Sequence, residues 1–246
     1  MSYLCLLFDV SRTAYYRYRR GKSHNSDSKY NRPRHEIRIE FIRNSKRYGS
    51  RRIRESLKQK GIKIGRRKVA EIMRGYHDAT TLFERSDMER WMFSYEGSLD
   101  KEVICHNDIA PYNITFVDDI PYGMIDFDTC CPGPRIWDIV YALYRFVPFS
   151  KEVYDMELQG YRNYEADRHK ELRKSCIHAF FDTYGMECPD DLFEQMVARL
   201  QALADLIYNE ANNGNEVFMK MLDDGHRTLY LDEIKFIKEH AKEWLY

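Results

Sequence analysis

The sequence feature that most constrains the fold is a polar loop enclosed by apolar, strand-like segments. Residues 106–113 read His-Asn-Asp-Ile-Ala-Pro-Tyr-Asn and lie between the apolar stretches 103–105 and 114–117. A third apolar segment, 122–128, follows and carries Asp126. Short apolar runs bounded by polar residues predict buried strands. The sequence therefore predicts strand, loop, strand, turn and strand in succession.

The spacing of polar residues in this loop suits phosphoryl transfer. That reaction needs a carboxylate to orient the attacking hydroxyl and oxygen ligands that hold Mg2+ against the phosphates. In the pattern His-x-Asp-x-x-x-x-Asn, Asp108 would lie near the acceptor hydroxyl, and Asn113 could turn its amide oxygen toward the metal. Asp126, at the end of the third strand, would supply a second metal ligand.

The same residues carry a family resemblance. The segments HNDIAPYN, MIDFD and CPGPRIWDIVYALYRFVPFS resemble the C-terminal lobe of the aminoglycoside phosphotransferase and choline-kinase-like family, over roughly residues 100–246. The resemblance implies Mg2+ and ATP or GTP as cofactors and a small-molecule hydroxyl as the acceptor. It also implies that Asp108 is the catalytic base, that His106 braces the loop, and that Asn113 and Asp126 bind the metal.

Two other carboxylates lie near this pattern. Asp128 would share the face of Asp126 only if the strand continues, and the following residues, Thr-Cys-Cys-Pro-Gly, suggest that the strand stops. A site role for Asp128 therefore stays open. Asp138 opens a predicted helix at 137–146, where a carboxylate suits the positive helix end. The resemblance implies that Asp138 supports the loop from beneath.

Charge divides the chain into two unlike parts. The formal net charge is zero, yet residues 1–76 hold 22 Lys and Arg against 6 Asp and Glu, while the remainder holds 17 against 33. A strongly basic segment is often one that meets a polyanion. Its basic residues alternate with apolar ones at helical spacing, which favours basic helices over a solvated charge run.

Two segments of the basic part carry a second resemblance: Val-Ser-Arg-Thr-Ala-Tyr-Tyr at 10–16 and Tyr-Gly-Ser-Arg-Arg-Ile at 48–53. They resemble the N-terminal region of integrase-type transposases of bacterial insertion sequences. The resemblance implies helix-turn-helix units and duplex DNA as a partner. The candidate DNA contacts are Arg12, Tyr15, Arg17, Arg66, Arg67 and Lys68. Phosphate contacts from such side chains give affinity and salt sensitivity, whereas specificity requires contacts to base edges.

The first hundred residues contain no glycine-rich loop and no strand lysine of the kind that holds a nucleotide's phosphates. The sequence is therefore expected to lack the N-terminal nucleotide-binding lobe and to have weak or no kinase activity. A DNA-binding protein and a non-functional fusion product are the alternatives.

The predicted fold class is α+β: a mostly helical, kinase-like C-terminal lobe with a short catalytic β-hairpin, preceded by a small all-α helix-turn-helix region. The predicted divisions are 1–76 for the basic region, 77–100 for a connecting helix, and 101–246 for the lobe. Within the lobe, helices are predicted at 137–146, about 164–183, 190–212, 215–223 and 229–244.

Other features of the sequence concern the protein's location in the cell and the charge of its acceptor. The six cysteines form no Cys-x-x-Cys pair, and no apolar stretch suits a signal peptide or a membrane span, so a cytoplasmic protein without a membrane partner is expected. The acidic excess of the second part fits a cationic acceptor and equally an ordinary solvated surface. Four positions where a bend between helices could face the cleft are Glu210, Asp223, Asp224 and His226.

Overall fold

The computed structural model describes residues 66–83, 91–117, 120–147, 149–155 and 160–245. The helices of this part are α1 (Arg66–Thr80), α2 (Arg135–Phe146), α3 (Ala166–Tyr184), α4 (Leu192–Asn212), α5 (Glu216–Asp223) and α6 (His226–Leu245). The strands are β1 (Val103–Cys105), β2 (Ile114–Val117), β3 (Ile120–Met124), β4 (Cys131–Gly133), β5 (Glu152–Asp155) and β6 (Gly160–Asn163). A 3-10 helix, Pro111–Asn113, leads into β2.

The strands form three small antiparallel pairs. β2 pairs with β3 as a hairpin, β1 pairs with β4, and β5 pairs with β6. Cys105, the last residue of β1, is the Cα partner of Cys131, the first residue of β4. The residues that follow β1 therefore lie close to those that precede β4. This pairing brings the loop at 106–113 next to the segment that carries Asp126.

The helices supply most of the core. α4 packs against α2, α5 and α6, and α3 packs against α1 and α6. The fully covered apolar side chains include Leu143 of α2, Ile207 of α4 and Trp244 of α6. The described part is thus mostly helical with small antiparallel sheets, as the predicted α+β class requires.

Helix α1 belongs to this same core. Its residues Val69, Ala70 and Met73 have no exposed surface and join the apolar cluster of the other helices. The helix runs without a break from Arg66 to Thr80, so the predicted division at residue 76 falls inside it. The rest of the predicted helix-turn-helix region, with Arg12, Tyr15 and Arg17, lies outside the described residues.

The connecting helix predicted for 77–100 differs from the structure. α1 ends at Thr80, residues 81–83 form a turn, and residues 91–100 contain bends but no helix. Ser94, Gly97 and Ser98 interrupt this stretch, and both residue types are poor helix formers because serine competes with backbone hydrogen bonds and glycine is conformationally free.

The other predicted elements are largely confirmed. The five predicted helices of the lobe correspond to α2–α6 within a few residues at each end, which is the usual uncertainty of helix boundaries. The third strand is shorter than predicted, because it ends at Met124 instead of continuing through Asp126. The predicted turn at 118–119 lies outside the described residues. β4 and the β5–β6 pair were not predicted, since their sequences, Cys-Pro-Gly, Glu-Val-Tyr-Asp and Gly-Tyr-Arg-Asn, are not apolar runs.

Within the described ranges, no helix combines the length and apolar character that crossing a bilayer requires. The five cysteines that the structure describes are free thiols.

Candidate active site

Asp138, in the first turn of α2, holds the backbone of the predicted catalytic loop. Its Oδ2 accepts a hydrogen bond from the backbone N–H of His106 at 2.6 Å, and its Oδ1 accepts one from that of Asn107 at 2.8 Å. Asn107 adopts a left-handed backbone with φ of 64°, a conformation that asparagine tolerates better than most residues. The buried carboxylate therefore fixes the sharp bend that begins the loop.

His77, on α1, is the third partner of Asp138. Its Nε2 lies 3.1 Å from Asp138 Oδ2, its Nδ1 lies 2.6 Å from the Tyr184 hydroxyl, and the His77 and Asp138 side chains have no exposed surface. Burial by itself raises the pKa of Asp138, but the hydrogen bond and charge of His77, with those of His106, outweigh it and lower that pKa overall. Asp138 is therefore held as a carboxylate that accepts from three donors.

The side chain of Asp108 is oriented by three donors of its own. Its Oδ1 accepts from the Tyr112 hydroxyl at 2.8 Å and from the Tyr141 hydroxyl at 3.2 Å, and its Oδ2 accepts from Asn113 Nδ2 at 2.9 Å. Burial, and next the charge of Asp108, raise the pKa of Tyr112 well above its usual value. Burial also raises the pKa of Tyr141. Both phenols therefore stay protonated and act as donors to the carboxylate.

His106 braces the loop from the opposite side. Its Nε2 lies 3.0 Å from the carbonyl oxygen of Ile125, and its Nδ1 accepts the backbone N–H of Asp108 at 3.3 Å. The same Ile125 donates its backbone N–H to the carbonyl of Asn113 at 3.0 Å. Both polar backbone groups of Ile125 thus tie the residue before Asp126 to the loop.

Asp126 follows β3 in a left-handed backbone conformation, with φ of 71°, and its side chain is exposed. A non-glycine residue in this region is uncommon and is retained where surrounding contacts determine it. Here the two hydrogen bonds of Ile125 are those contacts. The backbone turn sets Asp126 apart from Asp128, which is exposed in the following turn.

Asn113 and Asp126 are the residues that could hold a metal ion. Both amide hydrogens of Asn113 bond to Asp108, to its backbone oxygen and to Oδ2, so the free lone pairs of Asn113 are on Oδ1. Among the described residues no group of three or more His, Cys, Asp or Glu side chains is gathered as a metal cage. Amide and carboxylate oxygens such as these suit Mg2+, which is bound by few protein ligands and retains waters.

Arg199 of α4 supports the loop from the helical side. Its Nη2 donates to the carbonyl oxygen of Asn107 at 2.6 Å, and its guanidinium lies 4.6 Å from the Tyr141 ring centroid and 5.3 Å from that of Trp137. A buried arginine in such a position satisfies a loop carbonyl and packs on aromatic faces.

A cleft of about 1440 Å³ opens beside Asp108. Its walls are the catalytic loop, the segment 92–99, α2, and the facing surfaces of α4, α5 and α6. Of the four positions predicted to face it, Asp224 and His226 line the cleft, whereas Glu210 and Asp223 do not. Asp108 is therefore positioned where a molecule bound in the cleft could present a hydroxyl.

The structure brings His106, Asp108 and Asn113 into one bonded network, with Asp126 next to it. Arg67 and Lys68 are exposed on α1, and Lys68 pairs with Glu71 at 2.6 Å, while Arg66 is the first residue of the same helix. These three positions precede the loop by about forty residues in the sequence.

Sequence reasoning missed several residues that shape the site. Tyr112 lies inside the recognised loop, and Tyr141 is three residues beyond Asp138 on the same helix, so helical spacing was a usable signal for it. His77 and Arg199 offered no local signal, because each reaches the loop from a helix distant in sequence.

A known protein family matches the part of the chain that contains this loop. The model of the phosphotransferase enzyme family matches residues 14–172, and the chain therefore belongs to that family. The match begins well before α1 and includes most of the basic segment. No curated protein and no solved structure matches the chain.

Proposed function

We propose that the protein transfers a nucleotide's γ-phosphoryl group to a hydroxyl of a small molecule bound in the cleft. The observation that carries the proposal is the Asp108 carboxylate, which lines the cleft and is held by Tyr112, Tyr141 and Asn113. A carboxylate fixed in this way can accept the proton of an acceptor hydroxyl and aim its oxygen lone pair.

The three hydrogen bonds to Asp108 also indicate what kind of catalyst it is. Donors on both carboxylate oxygens hold the side chain in one orientation, which suits it to aligning an acceptor hydroxyl. Phosphoryl transfer through a loose transition state requires mainly this positioning. As the new oxygen–phosphorus bond forms and the bond to the nucleotide breaks, the hydroxyl proton passes to Asp108 and then to solvent.

Asn113 and Asp126 are the residues we assign to Mg2+. When bound, the ion would neutralise phosphate charge during transfer. The protein's own contribution is the placement of the two oxygen ligands: Asn113 is locked by Asp108, and Asp126 is held by the backbone bonds of Ile125.

The test is phosphoryl transfer from radiolabelled ATP and GTP to a panel of hydroxyl compounds, with Mg2+. Asp108→Asn and Asp126→Asn should each lower kcat by at least about a hundredfold, a typical loss for a general base or a transition-state ligand. Asp167→Asn is the matched control, because Asp167 is exposed in the first turn of α3. Turnover that survives Asp108→Asn would refute the assignment.

Nucleotide affinity is a separate part of the proposal. Because the sequence of residues 1–100 contains no Gly-x-Gly-x-x-Gly pattern of the kind that covers a nucleotide's phosphates, we infer weak nucleotide binding and low turnover. Calorimetric titration of the full chain with ATP and Mg2+ measures this directly. A micromolar dissociation constant would contradict the inference of weak binding, and it would leave the role of Asp108 untouched.

Duplex DNA binding is the second candidate function, and the excess of 22 basic over 6 acidic residues in 1–76 favours it. The proposed contacts are Arg12, Tyr15, Arg17, Arg66, Arg67 and Lys68. The affinity of the full chain for a duplex should fall steeply between 50 and 200 mM salt. The expected loss is about tenfold for every few phosphates that the protein contacts. Absence of binding at low salt excludes this function.

Neutralising Arg66, Arg67 and Lys68 together by Gln substitution should reduce the salt slope by up to about three units if all three meet phosphates. The matched control is Lys235→Gln and Lys238→Gln, two exposed lysines on α6. A non-functional fusion product is the remaining interpretation, and it predicts neither phosphoryl transfer nor salt-dependent DNA binding.

A further inference from the structure

Tyrosine side chains of α2 and α6 meet beside Asp108. The ring centroids of Tyr141 and Tyr144 lie 6.2 Å apart, and those of Tyr144 and Tyr230 are also 6.2 Å apart. Tyr141 and Tyr230 are nearly covered, with 4% and 7% of their surfaces exposed, and both line the cleft together with Asp108. A residue of α6 thereby joins the surroundings of the catalytic loop.

Tyr230 is linked to Asp108 through one intermediate residue. Its hydroxyl shares a hydrogen bond with that of Tyr141, and the Tyr141 hydroxyl lies 3.2 Å from Asp108 Oδ1. A phenol has one proton to donate and two lone pairs that accept. A carboxylate is a stronger acceptor than a phenol, so Tyr141 gives its proton to Asp108 and accepts the proton of Tyr230. The donation therefore runs from Tyr230 to Tyr141 and on to Asp108.

The bond from Tyr230 would affect Tyr141 in two ways. It restricts rotation of the Tyr141 hydroxyl, and hydrogen bonds in series polarise one another, so accepting a bond strengthens the one that is donated. The contact from Tyr141 to Asp108 measures 3.2 Å, whereas the contact from Tyr112 measures 2.8 Å, close to the usual distance between hydroxyl and oxygen. The longer of the two bonds is thus the one that Tyr230 supports.

A positive charge lies near each phenol that donates to Asp108. The guanidinium of Arg199 lies 4.6 Å from the Tyr141 ring centroid, and that of Arg145 lies 5.7 Å from the Tyr112 ring centroid. A cation beside a phenol favours negative charge on its oxygen and so makes the hydroxyl a stronger donor. The charges around the tyrosines therefore favour donation toward Asp108.

From these contacts we propose that Tyr230 is a positioning residue for phosphoryl transfer, and that it acts through Tyr141 to hold Oδ1 of Asp108 in the orientation that aligns the acceptor hydroxyl. The role in catalysis rests on the proposed phosphotransferase function, whereas the chain of hydroxyls does not. Tyr230 would thus make the orientation of the catalytic carboxylate depend on α6, a helix that also forms a wall of the cleft.

Tyr144 provides a matched control within the same cluster. Its ring is a neighbour of both Tyr141 and Tyr230, but its hydroxyl bonds to the carboxyl group of Glu233 and it does not line the cleft. Tyr230→Phe and Tyr144→Phe each remove one hydroxyl and keep the ring. A role of Tyr230 in packing alone predicts that the two changes have similar effects on the reaction.

The first measurement tests the chain of hydroxyls without any reaction. Nuclear magnetic resonance of the full chain, with tyrosine carrying carbon-13 at the ring carbon that bears the hydroxyl, reports the hydrogen bonding of each phenol. Tyr230→Phe should shift the resonance of Tyr141, and Tyr144→Phe should leave it in place. Asp108→Asn should shift the resonances of Tyr141 and Tyr230, because both belong to one chain of donors.

The second measurement is steady-state phosphoryl transfer. Tyr230→Phe should lower kcat about fivefold and leave the KM of the acceptor unchanged, because Asp108 keeps its bonds to Tyr112 and Asn113. In a protein that already carries Tyr141→Phe, adding Tyr230→Phe should lower kcat no further, since the residue that relays its effect is absent. Tyr144→Phe should leave kcat unchanged.

The possible results separate the two levels of the proposal. A shifted Tyr141 resonance with no phosphoryl transfer by any form of the protein supports the chain of hydroxyls and counts against the proposed function. A Tyr141 resonance that ignores Tyr230→Phe overturns the chain. Loss of kcat that persists in full after Tyr141→Phe, an equal loss in Tyr144→Phe, or a change in acceptor KM alone overturns the positioning role.

Discussion

His77 Nε2 lies 3.1 Å from Asp138 Oδ2, and neither side chain has any exposed surface. The contact joins α1 to the first turn of α2, and through the two carboxylate oxygens it reaches the backbone N–H groups of His106 and Asn107. A helix that is distant in sequence thereby takes part in fixing the bend of the catalytic loop. Asp138 is the shared acceptor on which this arrangement depends.

The first prediction concerns Asp138→Asn. Asparagine has one acceptor oxygen where the carboxylate has two, so its amide group would face either the backbone N–H of Asn107 or the donors on the other side. Because a buried donor would lose its acceptor, the free energy of unfolding should fall by about 1–3 kcal/mol. Urea denaturation of the two proteins measures the loss.

Asp128→Asn is the control for that change, since it makes the same substitution at an exposed position and should alter stability by less than about 0.5 kcal/mol. His77→Gln should also destabilise the protein. If Asp138→Asn and His77→Gln act through one contact, the double variant should lose less than the two single losses added together. Strict additivity would contradict their coupling.

The parts of the site that are formed by residues close together in the sequence could be predicted. The apolar stretches at 103–105 and 114–117 predicted β1 and β2, and the polar pattern between them located His106, Asp108 and Asn113. Periodic apolar residues predicted helices α2–α6, because a helix that buries one face shows that face in its sequence. Short-range patterns of this kind need no knowledge of the tertiary fold.

Contacts between residues that are distant in the sequence could not be predicted from it. His77 and Asp138 are 61 positions apart, and Arg199 and Asn107 are 92 apart, so no local pattern links them. β4 has only three residues, including Pro132, and it exists because β1 pairs with it. Asp126 was predicted at the end of a strand, but its left-handed backbone depends on Ile125 bonding to two separate parts of the loop.

The second prediction concerns the two tyrosines that bind Asp108. Tyr112→Phe and Tyr141→Phe each remove one hydroxyl donor and keep the ring, so packing should be preserved. Hydrogen bonds to charged groups contribute about 1.5–3 kcal/mol, and loss of orientation should therefore lower kcat by about tenfold for each change. The measurement is steady-state phosphoryl transfer, with thermal unfolding to verify the fold.

Tyr122→Phe is the control, because it removes the same hydroxyl group from a residue on β3 that is 73% exposed and does not bind Asp108. Unchanged kcat in both Tyr112→Phe and Tyr141→Phe would show that Asn113 alone suffices to orient Asp108.

The third prediction uses two glycines with opposite backbone requirements. Gly185 ends α3 with φ of 78°, and a Cβ added there would lie 3.3 Å from Arg74 Nη1, so Gly185→Ala should destabilise the protein by about 1–2 kcal/mol. Gly75 lies inside α1, where an added Cβ meets nothing within 4 Å of it. Gly75→Ala should therefore stabilise the protein by up to about 1 kcal/mol.

Urea denaturation midpoints measure both changes on the same scale. The opposite signs are the essential result. A stabilising Gly185→Ala would mean that the left-handed end of α3 is not retained in solution.

The fourth prediction concerns Glu233 on α6. Burial, only partly offset by a hydrogen bond from Ser150 and the charges of Arg173 and Arg145, raises the pKa of Glu233 to about 7. Its Oε2 is buried and has no hydrogen-bond partner among the described residues. The folded protein therefore keeps this proton at pH values where an unfolded glutamate, with a pKa of about 4.3, has lost it.

The sign of the pH dependence follows from proton linkage. Between about pH 4 and pH 7 the folded state binds more protons at this position than the unfolded state, so its contribution to stability is complete below that window and is lost as pH rises through it. Glu233→Gln cannot ionise and should remove this slope. Relative to the unsubstituted protein, the variant's free energy of unfolding should gain roughly 2 kcal/mol on going from pH 5 to pH 8.5.

Urea denaturation at the two pH values measures this difference. The control is Glu239→Gln, at an exposed position on the same helix, and it should show no such gain. An equal response of the two variants would contradict the raised pKa of Glu233 in the folded protein.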